Sequence, residues 1–421
     1  MPLRLIRPIL LGVLTLAFAV AGCRVSQTPA DPAVRAQRIH DRFLSIDTHC
    51  DTPHNLARSD WKAGEAHDAA TRGGGQVDLP RMKRGRLDAE FFAAFVGQGQ
   101  RTPEGYAKAR QAALNQIEAV KTMCREYPNL VGLALTPDDA LRLKREGRLI
   151  AFISMENGYP IGKDLSLIGD FHELGVRMMT LVHTRDNDIC DSSTDQQDPE
   201  DAGLSAFGAE VVRACNRAGI IVDVSHASDE SFYDVLRETA APVVASHSCA
   251  RAVCDNPRNL SDDMLRVLAK NGGVIQICFL SSYVKATPPN PDREQALQDL
   301  RKTFGSFRDI RDEATRIKVR EAFEAVNRKY PETRATLKDL VDHIDHVRKV
   351  VGIDHVGIGT DFDGGGGVIG CNDAGEMFHV TEELLRRGYG EDEIAKIWSG
   401  NTLRVFRDVI KVARRLRADA S

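Results

Sequence analysis

FLSIDTHCD (residues 43–51) and HVGIGTDFDG (355–364) decide the fold of this 421-residue chain. Each is a short run of β-branched and aliphatic residues that ends in side chains able to donate to a metal: His49 and Asp51 in the first, Asp361 in the second. Six more such runs lie between them, LDAEFFAAFVG (87–97), LIAFISMENG (149–158), VRMMTLVH (176–183), GIIVDVSH (219–226), PVVASHS (242–248) and GVIQICFLSSY (273–283). Their near-continuous apolar character suits strands buried on both faces. Between the runs, 104–126, 164–174, 203–218, 229–240, 261–271 and 336–351 carry apolar residues at helical spacing. Strand then helix, eight times over, predicts an α/β protein, a (β/α)8 TIM barrel. Barrels of this kind place chemistry at the carboxyl ends of their strands. Here those ends carry His49, Asp51, Glu156, His183, His226, His247 and Asp361.

In a strand, residues two apart point to the same side, so His49 and Asp51 can face one ion together. A lone His-x-Asp is a weak signal, but Glu156, His226, His247 and Asp361 occupy comparable places on other strands. Three histidines and three carboxylates exceed the needs of one tetrahedral zinc that keeps a position for water. They suit a pair of ions about 3.5–4 Å apart, sharing a carboxylate and a hydroxide. Imidazole mixed with carboxylate favours Zn²⁺, with manganese and cobalt as alternatives.

The remainder of the chain adds a targeting element and an insertion. Arg4 and Arg7, an apolar run from Pro8 to Val20, and Val20-Ala21-Gly22-Cys23 form a leader that is set aside from the fold. The last tetrapeptide resembles a bacterial lipobox, which implies a signal peptide over 1–22, cleavage before Cys23 and lipidation of its thiol. Residues 23–38 read as a polar tether, and 39–415 as the barrel. Arg24 after the cysteine resembles Gram-negative lipoproteins that face the periplasm from the outer membrane. A charged helical stretch at about 285–335 interrupts the barrel, as a solvated excursion or as a lid or dimer contact. A net charge of −4 with interspersed signs leaves no basic stripe, so nucleic acid is excluded as a partner. Eight further cysteines in an oxidising compartment permit disulfides, of which Cys254 with Cys278 is one pairing.

The motifs DTHCDTP, ISMENGYPIG, LTLVHTRDND, VDVSHAS, ASHSCARAVCDNPRNLSDDML and GIGTDFDGG, in this order and spacing, resemble the membrane (renal-type) dipeptidases. These are the binuclear-zinc dipeptidases of the amidohydrolase superfamily. The likeness covers about residues 39–410, including GNTLRVF at 400–406. It is specific, because the wider superfamily uses His-x-His and a carboxylated lysine where this chain has His-x-Asp and Glu156. The resemblance implies two Zn²⁺ per chain. His49, Asp51 and bridging Glu156 would hold the first, with Asp361 beside it as the proton carrier, and Glu156, His226 and His247 the second. It also implies that His183 approaches the substrate carbonyl, that Arg258 grips the terminal carboxylate of a dipeptide with Tyr283 in the same pocket, and that the chain forms a homodimer. Arg258 has a structural alternative, pairing with the helix that Ser261 would cap. The four glycines at 364–367 lack a phosphate-cradle signature and read as a flexible rim loop. Unlike mammalian members, which carry a glycolipid at the carboxyl terminus, this chain ends in a charged helix and has its lipid signal at the amino terminus. Rival activities are an amidohydrolase acting on N-acyl amino acids or β-lactam-type amides, and a catalytically silent binding barrel.

Overall fold

A computed structural model describes residues 31–68, 74–195, 202–305, 313–331 and 333–419. Its centre is a parallel sheet of β1 (Ile46–Cys50), β2 (Ala89–Phe95), β3 (Val131–Leu133), β4 (Leu149–Glu156), β5 (Val176–Thr180), β6 (Ile221–Asp223), β7 (Val244–Ser248), β8 (Val274–Ile277) and β9 (Val356–Ile358). The order is β1-β2-β4-β5-β6-β7-β8-β9, with β3 paired to the outside of that path on β4. The ring closes just past β9, where Asp361 N–H donates to the His49 carbonyl (3.1 Å) and Asp51 N–H to the Phe362 carbonyl (2.8 Å). All eight anticipated runs are barrel strands. β3 and the helix Pro137–Arg145 are additions to that expectation.

Five of the helices that follow barrel strands start where the sequence supplies a cap. Thr102, Ser205, Ser228, Ser261 and Thr336 each accept a hydrogen bond from the backbone N–H three residues on. A cap of this type contributes about 1 kcal/mol. Each therefore ends a carboxyl-side loop at a defined residue and limits how far that loop can wander.

One mouth of the barrel is plugged. Ile46, Phe91, Phe152, Met178, Ile221, Val244 and Val274 form one buried cluster with Leu403, Val405, Phe406 and Val409 of the helix Asn401–Ala418. Phe91 stacks on Phe152 at 4.6 Å, and Phe406 meets Phe152 edge-on at 5.9 Å. Apolar filling at this amino-terminal mouth leaves the opposite rim as the place for polar side chains.

Several expectations change. The tether anticipated through residue 38 is helical from Pro32 to Arg42 and buries Ala36, Ile39 and His40, the last hydrogen-bonded to Thr381 (2.8 Å). Apolar side chains three apart sufficed to dock this polar segment. The leader and Cys23 lie outside the described residues. The insertion contains two helices, Pro291–Phe304 and Glu313–Lys329, with Arg293 donating to Asn327 (2.9 Å) and to the Tyr330 carbonyl (2.7 Å). The first of them buries no residue, as a solvated excursion would. All eight described cysteines are free, Cys254 and Cys278 included. Among the described residues no helix is long and apolar enough to cross a membrane.

Candidate metal centre

The strand ends bring the anticipated residues together around Glu156, the last residue of β4. Its Oε2 lies 3.5 Å from His49 Nε2. Its Oε1 lies 3.1 Å from His226 Nε2, 3.4 Å from His247 Nε2 and 3.7 Å from His183 Nε2. One carboxylate thus turns its two oxygens toward two sets of donors. Asp51 Oδ2 approaches His49 Nε2 at 3.8 Å, and Asp361 joins that pair. In three groups the donor atoms all lie within 4.8 Å of one another: His49, Asp51, Asp361; His49, Glu156, His247; and Glu156, His183, His226. His183 therefore stands closer to the carboxylate cluster than a purely substrate-facing residue need do.

The local backbone explains how such short strands aim these groups. His226 (φ 70°), Asp361 (φ 61°) and Asn157 (φ 73°) adopt the left-handed region, which non-glycine residues occupy at a cost and chiefly where surrounding contacts hold them. Asn157 turns the chain immediately after Glu156. It donates to the Val96 carbonyl (2.9 Å), while its own carbonyl oxygen accepts from Asn187 (3.0 Å) and Tyr159 N–H (3.1 Å). The glycine run is not a loose loop. A Cβ on Gly364 would overlap Asp51 Oδ2 and Asp361 Oδ1, so glycine there is what lets the two carboxylates approach. Asp363 N–H donates to Gln76 Oε1 and Gln76 N–H returns to Asp363 Oδ1, both at 2.7 Å, tying the run to the loop after β1.

Electrostatics fit a centre built for cations. Burial opposes charge on His49, but the carboxylates of Glu156 and Asp51 outweigh it and hold its pKa well above the ordinary imidazole value. Burial raises Asp51, and Glu156 adds to it, so its pKa is pushed up to about 6. Burial and the charge of Asp51 together carry Asp361 well above the usual carboxylate range. Burial, reinforced by nearby Arg258, holds His226 well below the ordinary value. Crowded like charges of this kind mark functional sites more often than structural ones. The donor set itself suits a metal ion. Both ring nitrogens of His49, Asp51 Oδ1 and His226 Nδ1 are buried without a hydrogen-bond partner, whereas buried polar atoms are nearly always satisfied. His226 and His247 present Nε2 to each other at 2.8 Å, an arrangement a shared cation neighbourhood would accommodate.

Arg258 reaches the same rim. It is 3% exposed, donates from Nη2 to the His247 carbonyl (3.3 Å) and lies over the Tyr283 ring at 5.2 Å. Its Nε has no partner. The structural alternative is not taken up. Ser261 does cap the next helix, but Asp262 pairs with His346 (2.7 Å) and Asp263 with Arg266 (2.6 Å). Asp354 and His355, at the far end of β9, bond Lys396 (2.7 Å) and the Gly273 carbonyl (2.8 Å), as expected of structural residues.

Three contributors went unnoticed in the sequence: Asn157, and the aspartates Asp47 and Asp223 of IDTH and VDVSH. Both aspartates are fully buried. Asp47 accepts from Thr360 N–H (2.8 Å), Thr360 Oγ1 (2.5 Å) and His49 N–H (3.2 Å), clasping β1 to the segment that carries Asp361. An acid within an apolar run, two or three residues before a ligand-type histidine, was the available signal.

Comparison with known proteins agrees with this geometry. The model of the membrane dipeptidase family (peptidase family M19) matches residues 33–420. Dipeptidase ataJ of Aspergillus terreus is 30% identical over 416 residues, covering 92% of this chain and 90% of that protein. Dipeptidase 3 of Rattus norvegicus is 31% identical over 392 residues, covering 91% and 69%. The crystal structure of the probable dipeptidase PvdM from Pseudomonas aeruginosa superposes with a TM-score of 0.77 at 35% identity, covering 92% of this chain and 100% of that one. With its barrel, its donors at the strand ends and a family match running from the first described helix to the last, the chain belongs to the membrane dipeptidase family, peptidase family M19.

Proposed function

We propose that this protein hydrolyses the single amide bond of dipeptides with the help of two zinc ions. The observation that carries the reading is Glu156, whose Oε2 faces His49 while Oε1 faces His226 and His247. His49, Asp51 and Glu156 would hold one ion, and Glu156, His226 and His247 the other. Such a pair supplies Lewis acidity, making hydroxide available near neutral pH and polarising the scissile carbonyl.

The chain's own groups supply the remaining steps. Asp361 takes the proton of the attacking water. As the C–N bond breaks, it passes that proton to the leaving nitrogen. His183, whose Nε2 lies 3.7 Å from Glu156 Oε1, donates a hydrogen bond to the carbonyl oxygen as it gains charge. Arg258 binds the substrate's terminal carboxylate, in the bidentate manner that suits a guanidinium. A carboxylate gripped one residue beyond the scissile bond leaves no room for a longer chain, which accounts for dipeptide selectivity.

Attachment to the envelope through lipidated Cys23, on the periplasmic face of an outer membrane, belongs to the same proposal. Its support is the leader sequence, with only residues 24–31 separating Cys23 from the first helix. Chelation followed by zinc titration tests the chemistry: dipeptide turnover should vanish and return as two equivalents bind. Turnover that survives metal-free preparation would refute it. Labelled fatty acid should enter the wild-type chain but not Cys23→Ser; equal labelling would refute the anchor.

A further inference from the structure

The side chains behind His247 form a chain of hydrogen bonds whose direction is determined. Asp223, at the end of β6, accepts through Oδ1 from the backbone N–H groups of Ser225 (3.0 Å) and Ser246 (2.8 Å). Its Oδ2 accepts from Thr180 Oγ1 (2.5 Å) and Ser246 Oγ (2.6 Å). Ser246 Oγ in turn lies 2.8 Å from His247 Nδ1. A hydroxyl has one proton, and the carboxylate can only accept it. Ser246 Oγ is therefore an acceptor toward the imidazole, and His247 must carry its proton on Nδ1. Its Nε2 is left as a lone pair, directed at Glu156 and His226. Ser225 Oγ also accepts from the His247 backbone N–H (3.0 Å), so the same hub fixes the residue's main chain.

We infer that Asp223 is a positioning residue that, through Ser246, fixes the tautomer of His247 in the form that can bind a metal ion. A histidine ligand usually passes its second ring proton to a carboxylate, a carbonyl or water, and loss of that partner weakens metal binding by about 10–100-fold. Here the carboxylate acts at one remove, with the serine hydroxyl between. Asp223→Asn should reverse the chain. The two backbone donors at Oδ1 exclude the amide nitrogen from that side, so it must take the Oδ2 position and donate to Ser246. The serine proton then turns to His247 Nδ1, and the ring proton moves to Nε2, where it obstructs the ion.

This inference rests on the reading that His226 and His247 hold an ion, and the test separates the two. Full-length wild-type protein, Asp223→Asn and Ser246→Ala are titrated with zinc against a chromophoric chelator, with ¹⁵N shifts of the histidine rings recorded before metal is added. We expect two ions on the wild type. Both variants should lose about 10–100-fold in affinity at one site and keep the other, and the Nδ1-protonated signal of His247 should be lost or averaged. Ser246→Ala leaves Asp223 bonded to Thr180 and to both backbone donors, so it decides the matter if Asp223→Asn does not fold. No zinc on the wild type would sink the metal reading and the inference with it. Two tight ions on folded variants, or equal weakening of both sites, would overturn the inference alone.

Discussion

Replacing Arg258 with methionine should make the protein more stable and much worse at its task. The guanidinium is 3% exposed, has a hydrogen bond to the His247 carbonyl and an unpartnered Nε, and enters no ion pair among the described residues. A buried charge without an opposite partner is costly, and exchange for an apolar side chain of similar length removes that cost, with gains on the order of 1–2 kcal/mol. Methionine keeps the aliphatic stem beside Tyr283. In the substrate complex the balance reverses. Removing one partner of a buried, hydrogen-bonded charge pair costs about 2–5 kcal/mol. At about 1.4 kcal/mol per tenfold, kcat/KM should fall by roughly 30- to 3,000-fold, mostly through KM, because the carboxylate is gripped in the ground state and the transition state alike. Urea denaturation reads the first effect and steady-state kinetics the second. A dipeptide amide, which lacks the carboxylate, provides the control: wild type and variant should cleave it at similar low rates. A variant that is less stable yet has unchanged kcat/KM would show that Arg258 is a structural residue and refute the argument.

Other perturbations probe separate parts of the account. Asp361→Asn should retain both metals and lower kcat by about 10²–10⁴; metal analysis with undiminished turnover would exclude its proton-transfer role. Gly364→Ala would push the new methyl into Asp51 and Asp361, so zinc affinity at the His49 side should drop sharply while the thermal midpoint changes little, as calorimetry and metal titration can show. Phe406→Ala, at the plugged mouth of the barrel, should cost about 3–5 kcal/mol in urea denaturation, with metal binding retained. His40 gives the pH dependence. Burial lowers its pKa from 6.5 to about 4, so between those values the unfolded chain binds the proton that the folded one refuses. Stability contributed by the neutral ring is complete above about pH 6.5 and shrinks as pH falls toward 4, by up to about 3 kcal/mol. His40→Gln should flatten that slope relative to wild type; parallel slopes would contradict the assignment.

How much of this was legible in the sequence depends on the range over which each signal acts. The eight barrel runs are buried on both faces, so their apolar character is dense and visible, and a donor at the end of such a run stands out. His49, Glu156, His226, His247 and Asp361 were found in that way. The three-residue strand Val131–Leu133 is too short to show any pattern, and the helix Pro32–Arg42 buries only Ala36, Ile39 and His40 within a polar stretch. Asp47 and Asp223 were passed over because their partners are not sequence neighbours: barrel closure brings Thr360 to Asp47, and the pairing of β6 with β7 brings Ser246 to Asp223. The tight packing at Gly364 was hidden for the same reason: glycine records that something comes close without saying what does. The cysteines illustrate the converse, since an oxidising compartment would permit bridges where all eight described cysteines are free.

The central claim is that this centre cleaves the single amide bond of a dipeptide whose terminal carboxylate lies one residue beyond that bond. Product release from zinc-loaded enzyme, measured side by side for an L,L-dipeptide, an L,D-dipeptide, a tripeptide and an N-acetyl amino acid, tests it most directly. Turnover of at least one dipeptide is expected, with the tripeptide left intact. Cleavage of the N-acetyl amino acid with both dipeptides untouched would leave the barrel and its metal centre in place and contradict the proposed activity.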